Sequence, residues 1–197
     1  YQKLTNCMET NNINAYILTG GSSRRFGSDK ASYSINGTSF LDQIHETLQS
    51  DFNTIYSVGK KSYSDKVNFI QDFSYSQSAI VGIISALRHS IFDWSFIISV
   101  DMPLITSETV NALVKENTQD NNNLIIPRVN KKLYPLFGFY HQDCLVHLEN
   151  AYSVKNYILK DVLKPLTQSV VDLSDYYEEL TNVNTREHLN IVKKNLS

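Results

Sequence analysis

Cysteine is scarce in this chain: Cys7 and Cys144 are the only two among 197 residues. Two thiols exclude a disulfide framework and a multi-thiolate zinc site. Long apolar runs are missing too, and no stretch approaches the roughly 20 residues that a membrane-spanning helix needs. Neither sign of charge dominates, since 18 Lys and Arg face 20 Asp and Glu for a net of −2. That balance argues against nonspecific binding to nucleic acid or to an anionic membrane. No Pro- or Gly-rich linker and no internal repeat divides the chain. The N-terminal YQKLTNCMETNN is polar and has no signal-peptide apolar core. The chain starts at Tyr1, so Met8 is a candidate initiator. Residues 1–12 are read as a flexible extension, and 13–197 as one cytoplasmic domain. What remains is 42% hydrophobic and 19% charged, a globular balance on a chain long enough to bury a core.

Apolar runs alternate with amphipathic ones. Ile13–Thr19, Thr54–Val58, Val67–Ile70, Trp94–Val100, Leu124–Ile126, Leu136–Tyr140 and Ser169–Leu173 read as strands. Phe40–Leu48, Ala79–Leu87, Thr106–Val114, Leu145–Tyr157, Ile158–Leu163 and Thr185–Lys194 carry helical spacing. Asn121–Asn123 reads as a polar turn. The alternation implies an α/β fold, a mostly parallel central sheet with helices on both faces. In such a sheet the ligand sits outside the carboxyl ends of the strands. Functional residues are expected just after them.

After the first strand comes Leu18-Thr19-Gly20-Gly21-Ser22-Ser23-Arg24-Arg25-Phe26-Gly27-Ser28-Asp29-Lys30, with three of the seven glycines. Gly20 and Gly21 let the backbone approach a ligand and turn N–H groups toward it. Arg24, Arg25 and Lys30 add positive charge beside those donors, which suits a polyphosphate. Neither G-x-x-x-x-G-K-[ST] nor G-x-G-x-x-G is present, which disfavours P-loop NTPases and dinucleotide dehydrogenases. Asp101 follows the most apolar strand and precedes Pro103. Its position suits Mg²⁺ beside phosphates and, equally, a turn that caps the next helix. Read alone, Asp72 is an ordinary loop carboxylate, and Gly82 is a glycine allowing close helix packing. Asn184-Thr185-Arg186-Glu187 reads as a helix N-cap. The five histidines show no metal-pairing spacing, and Cys144 reads as a helical core residue.

The stretch L-T-G-G-x-S-x-R-F-G-x-D-K resembles the signature of molybdenum cofactor guanylyltransferases, within the nucleotidyltransferase superfamily. That family usually has Ala where Thr19 stands, and often Met at Phe26. Asp29-Lys30 is informative, because sugar-phosphate and isoprenoid nucleotidyltransferases usually carry Pro before the Lys. Ser78-Ala79-Ile80-Val81-Gly82 stands where the family has G-P-L-A-G, and Asn182-Val183-Asn184-Thr185 resembles its late N-[VI]-N-T motif. The resemblance implies a Rossmann-like three-layer nucleotidyltransferase fold. It implies transfer of GMP from GTP to molybdenum-molybdopterin, giving the guanine dinucleotide cofactor and diphosphate, with Mg²⁺ as cofactor. The implied catalytic residues are Arg25, Lys30 and Asp101. Nucleotide binding falls to Leu18, Thr19, Gly20, Gly21, Ser23, Lys30, Asp72, Gly82 and Asp101, metal binding to Asp101, and acceptor binding to Asn182 and Asn184. Arg24 sits at a variable motif position. Molybdoenzyme-maturation proteins are implied partners, and a monomer or weak oligomer is expected. Two alternatives stay open: a related cytidylyl or sugar-phosphate nucleotidyltransferase, and a noncatalytic nucleotide-binding regulatory module.

Overall fold

Strand β1, Asn14–Leu18, is buried along its whole length and lies inside the main sheet, with a parallel strand on each side. The computed structural model describes residues 10–20, 30–35, 37–115 and 122–183. A 3-10 turn, Thr10–Asn12, leads into β1. A small hairpin, β2 (Ser34–Ile35) and β3 (Thr38–Ser39), precedes helix α1, Phe40–Leu48. Then come β4 (Ile55–Gly59), β5 (Asn68–Gln71), α2 (Ala79–His89), β6 (Trp94–Ser99) and α3 (Ser107–Lys115). The second half holds β7 (Leu124–Val129), β8 (Lys132–Leu133), β9 (Phe137–His141), α4 (Cys144–Ser153), α5 (Leu159–Leu163) and β10 (Gln168–Asp172). The closing helix expected over 185–194 lies outside the described residues.

The main sheet runs β10-β7-β9-β6-β1-β4-β5, with β8 paired to β7. Strands β5, β4, β1 and β6 are parallel neighbours, while β9 is antiparallel to both β6 and β7. The chain thus builds outward from β1 through β4 to β5, then crosses back to lay β6 on β1's other side. That reversal is a topological switch point, where an open α/β sheet leaves a crevice for a ligand.

Alternation along the strands divides the core into two faces. Ala15 and Ile17 of β1, with Phe96 and Ile98 of β6, join Leu41 and Ile44 of α1 and Val110 and Leu113 of α3. Tyr16, Leu18 and Ile97 point the other way, onto Ile80, Ile83, Ile84 and Leu87 of α2, Cys144 and Leu148 of α4, and Val162 and Leu163 of α5. The continuous apolar run of β6 is explained by this, since a helical layer covers each face of the sheet. The three-layer α/β architecture expected from the sequence is therefore present.

Some details differ from the sequence reading. Helix α4 stops at Ser153 rather than Tyr157, because Lys155 takes a left-handed φ of 59° and Asn156 N–H turns back to Ala151 O at 2.9 Å. Asn122 is buried, and Asn123 does more than turn the chain. Its carbonyl accepts from His141 N–H and the Cys144 thiol, and its Oδ1 from Thr167 N–H.

Candidate functional site

Four adjacent parallel strands end at one edge, and each delivers a polar group there. Strand β1 ends at Leu18 and hands on Thr19 and Gly20. Leu18 itself is buried, and its carbonyl accepts from Val100 N–H at 3.1 Å. Thr19 is buried and doubly tied to β4, since both its N–H and its hydroxyl donate to Val58 O at 2.9 Å. A Cβ on Gly59 would strike Thr19 Oγ1, so only glycine lets the two strand ends close up. Gly20 is exposed at the mouth of this junction.

Asp72 directly follows β5, and its N–H donates to Gly59 O at 2.8 Å. Its carboxylate is only 5% exposed and lies 2.9 Å from Lys60 Nζ through Oδ2. That same oxygen would stand 3.7 Å from a Cβ on Gly20, which places Asp72 beside the glycine loop's first residue. A buried carboxylate is costly unless paired, and Lys60 provides the pairing. Buried Ser85 of α2 steadies the next residue, accepting from Phe73 N–H at 3.1 Å.

Thr19, Gly20, Lys60, Lys61, Tyr63, Asp72, Ser76, Gln77 and Ser78 line a cavity of about 310 Å³. Its far wall is the start of α2, where Ser78 is the N-cap and its Oγ accepts from Ile80 N–H. Gly82 is buried one turn further on, with a Cβ there meeting Leu18 Cδ2 at 3.1 Å, so it brings α2 close onto β1.

Asp101 lies across β1 from this cavity, past the end of β6, and is half-buried. Its carbonyl accepts from Val183 N–H at 2.7 Å. The fold therefore brings the late Asn182-Val183 segment onto Asp101, although 80 residues of sequence separate them. Asn182 Oδ1 is buried and accepts no hydrogen bond among the described residues. Among those residues no group of three or more His, Cys, Asp or Glu comes together to form a ready-made metal cage. Mg²⁺ does not require one, because it typically takes one or two carboxylates and completes its shell with water and substrate phosphates. A single half-buried aspartate at the crevice fits that donor set.

The structure gathers Leu18, Thr19, Gly20, Asp72, Asp101 and Asn182 at one edge. Lys30 opens a 3-10 turn, Lys30–Ser32, after the glycine loop. Gly21, Ser23, Arg24, Arg25 and Asn184 lie outside the described residues. Lys60 escaped the sequence reading. The rule that put Asp101 among the candidates applies to it equally, since it too directly follows a buried parallel strand. Among the described residues, no helix is long and apolar enough to cross a membrane.

Residues 15–170 match the family described as the MobA-like NTP transferase domain. A probable molybdenum cofactor guanylyltransferase of Aquifex aeolicus is 32% identical, over 88% of this chain and 87% of its own length. One from Natranaerobius thermophilus is 28% identical, over 95% of this chain and 98% of its own. Among solved structures, the molybdopterin-guanine dinucleotide biosynthesis protein A of Archaeoglobus fulgidus superposes with a TM-score of 0.80 at 22% identity, over 93% and 98% of the two chains. The 2-C-methyl-D-erythritol 4-phosphate cytidylyltransferase of Francisella tularensis shares the fold at a TM-score of 0.68 and 13% identity, over 94% and 99%.

Proposed function

Because the chain belongs to the MobA-like NTP transferase family, we propose that it transfers GMP from GTP to molybdenum-molybdopterin, releasing diphosphate. The observation that supports this most is the pairing of two half-sites across β1. A cavity bounded by Gly20 and Asp72 lies on one side, and Asp101 with the Asn182-Val183 segment lies on the other. A transferase needs such a pair, one for the nucleotide and one for the acceptor. Relatives named as probable molybdenum cofactor guanylyltransferases match along most of the chain and support guanine and pterin as the substrates.

In this reading the acceptor's terminal phosphate attacks the α-phosphorus of GTP in line, and diphosphate leaves. The nucleophile is already anionic, so no residue has to act as general base. The protein's task is to align two polyanions and to offset charge on the leaving group. Gly20 and Gly21 amides, Arg25 and Lys30 would receive the β- and γ-phosphates. Asp101 would hold Mg²⁺, which when bound draws phosphate charge onto itself. Asn182 and Asn184 would meet the acceptor.

Asp101→Asn tests the assignment, because it keeps size and turn-forming ability while losing the charge that holds a hard cation. Diphosphate release with GTP and loaded molybdopterin should fall on the order of a hundredfold. Raised Mg²⁺ or Mn²⁺ should recover part of it, with circular dichroism unchanged. Release at the parental rate with parental metal dependence would take Asp101 out of the chemistry. Turnover with CTP but not GTP would reassign the base, and GTP binding without release would leave only a binding module.

A further inference from the structure

Lys60 looks like a phosphate ligand, a cation on the wall of an anion-accepting cavity, yet its ammonium is engaged elsewhere. An ammonium carries three N–H donors and no acceptor. Lys60 Nζ donates to Ser74 O and to Ser76 O at 3.2 Å, and it forms an ion pair with Asp72 Oδ2 at 2.9 Å. All three partners belong to the segment between β5 and α2. That segment supplies Asp72, Ser76, Gln77 and Ser78 to the cavity. It has little other backbone order, being neither helix nor strand from Asp72 to Ser78. From outside it is pinned by side chains. Phe73 lies under the Arg88 guanidinium at 4.4 Å and edge-on to Tyr152 at 5.1 Å, and Ser74 Oγ meets Tyr152 OH at 2.7 Å.

We infer that Lys60 is a positioning residue of the nucleotide site. It ties the 72–78 wall into shape and neutralises the Asp72 carboxylate, rather than binding phosphate itself. Both effects act on the nucleotide. A wall fixed beforehand spares the ligand the cost of ordering it. An unneutralised carboxylate in the same cavity would repel a triphosphate. The inference rests on the nucleotide reading above and adds a residue and a role to it.

The test is Lys60→Met, which keeps the length of the stem and removes the charge and the donors, with Lys60→Arg as the conservative partner. In the free protein, amide hydrogen exchange across 73–78 should accelerate in Lys60→Met and stay near parental in Lys60→Arg. Charge-assisted hydrogen bonds of this kind correspond to roughly a ten- to hundredfold change in binding. The GTP dissociation constant by calorimetry should therefore rise at least about tenfold in Lys60→Met. KM should rise with it while kcat falls no more than about threefold, as expected for uniform binding loss. Placing Asp72→Asn on top of Lys60→Met should recover part of the lost GTP affinity, because the repelling charge is gone. Unchanged exchange across 73–78 overturns the inference. So does faster exchange with unaltered GTP affinity, or a kcat loss with constant KM, which would make Lys60 a direct contact of the transition state. A parental protein that binds no nucleoside triphosphate overturns the nucleotide reading, and this role with it. Normal binding in the parent and in Lys60→Met alike overturns only the role of Lys60.

Discussion

Thr19, on the cavity wall, and Gly59 behind it are fitted to each other. The threonine hydroxyl donates to Val58 O, and the space it fills is space that a side chain on residue 59 would need. Overpacking at a closed position typically costs about 1–3 kcal/mol. Gly59→Ala is expected to lose stability in that range by urea unfolding. Thr19→Ala/Gly59→Ala should regain most of it, since the related loop usually carries Ala at position 19. A double variant no more stable than Gly59→Ala would mean that the glycine serves backbone geometry instead. Lys60 and Asp72 show the same dependence between neighbours. Neither would sit comfortably at the carboxyl ends of β4 and β5 without the other, as the 5% exposure of the carboxylate makes plain.

The first helix illustrates how a local signal fixes an element's boundary. Ser39 ends β3 with extended φ and ψ of −72° and 156°, and its Oγ accepts from Asp42 N–H at 3.1 Å. Asp42 in turn accepts from the Ser39 hydroxyl at 2.8 Å and from Ser64 Oγ at 2.6 Å. The acidic group lies in the first turn, where the helix dipole favours it. Ser39→Ala should cost about 1 kcal/mol, read as a lower urea midpoint with an unchanged slope. No loss of stability would show that Asp42 alone holds the start of α1. The β7–β8 hairpin is the opposite case. Asn130 and Lys131 both adopt left-handed φ, 48° and 69°, as a two-residue hairpin turn requires. Asn-Lys lacks the glycine that usually announces such a turn, so β8 left no trace in the sequence pattern.

At the scale of the whole molecule, the protein buries the acidic protons of Tyr140 and Cys144 in one face of its core. Burial pushes the Cys144 thiol up to about 12, and it also raises Tyr140 well above the ordinary tyrosine range. Tyr140 donates its hydroxyl hydrogen to Pro135 O at 2.6 Å, and the Cys144 thiol points at Asn123 O. The folded state therefore keeps protons that the unfolded chain gives up, and stability falls wherever the unfolded state binds fewer. Unfolding free energy should hold level up to about pH 8.5 and decline between about 9 and 12. Cys144→Ala should remove the first part of that decline, whatever it does to stability at neutral pH. An identical pH slope in the variant would show that Cys144 contributes nothing to it.

The amino-acid sequence was enough for the α/β class, the main helices and seven of the strands, because buried parallel strands and amphipathic helices impose different spacings of apolar residues. It was enough, too, to place Gly20 and Asp101 just past the ends of buried strands, where an open sheet gives way to a crevice. Asp72 and Gly82 could not be told from ordinary loop and packing residues, as their surroundings come from other parts of the chain. The tertiary structure set Asp72 against Lys60 and Gly20, and Gly82 over Leu18. It also brought the Asn182-Val183 segment back to Asp101 through the Val183 N–H. The strand order decided these meetings. Periodicity says which face of a strand is buried, but only the crossing of the chain from β5 back to β6 says which strands end side by side.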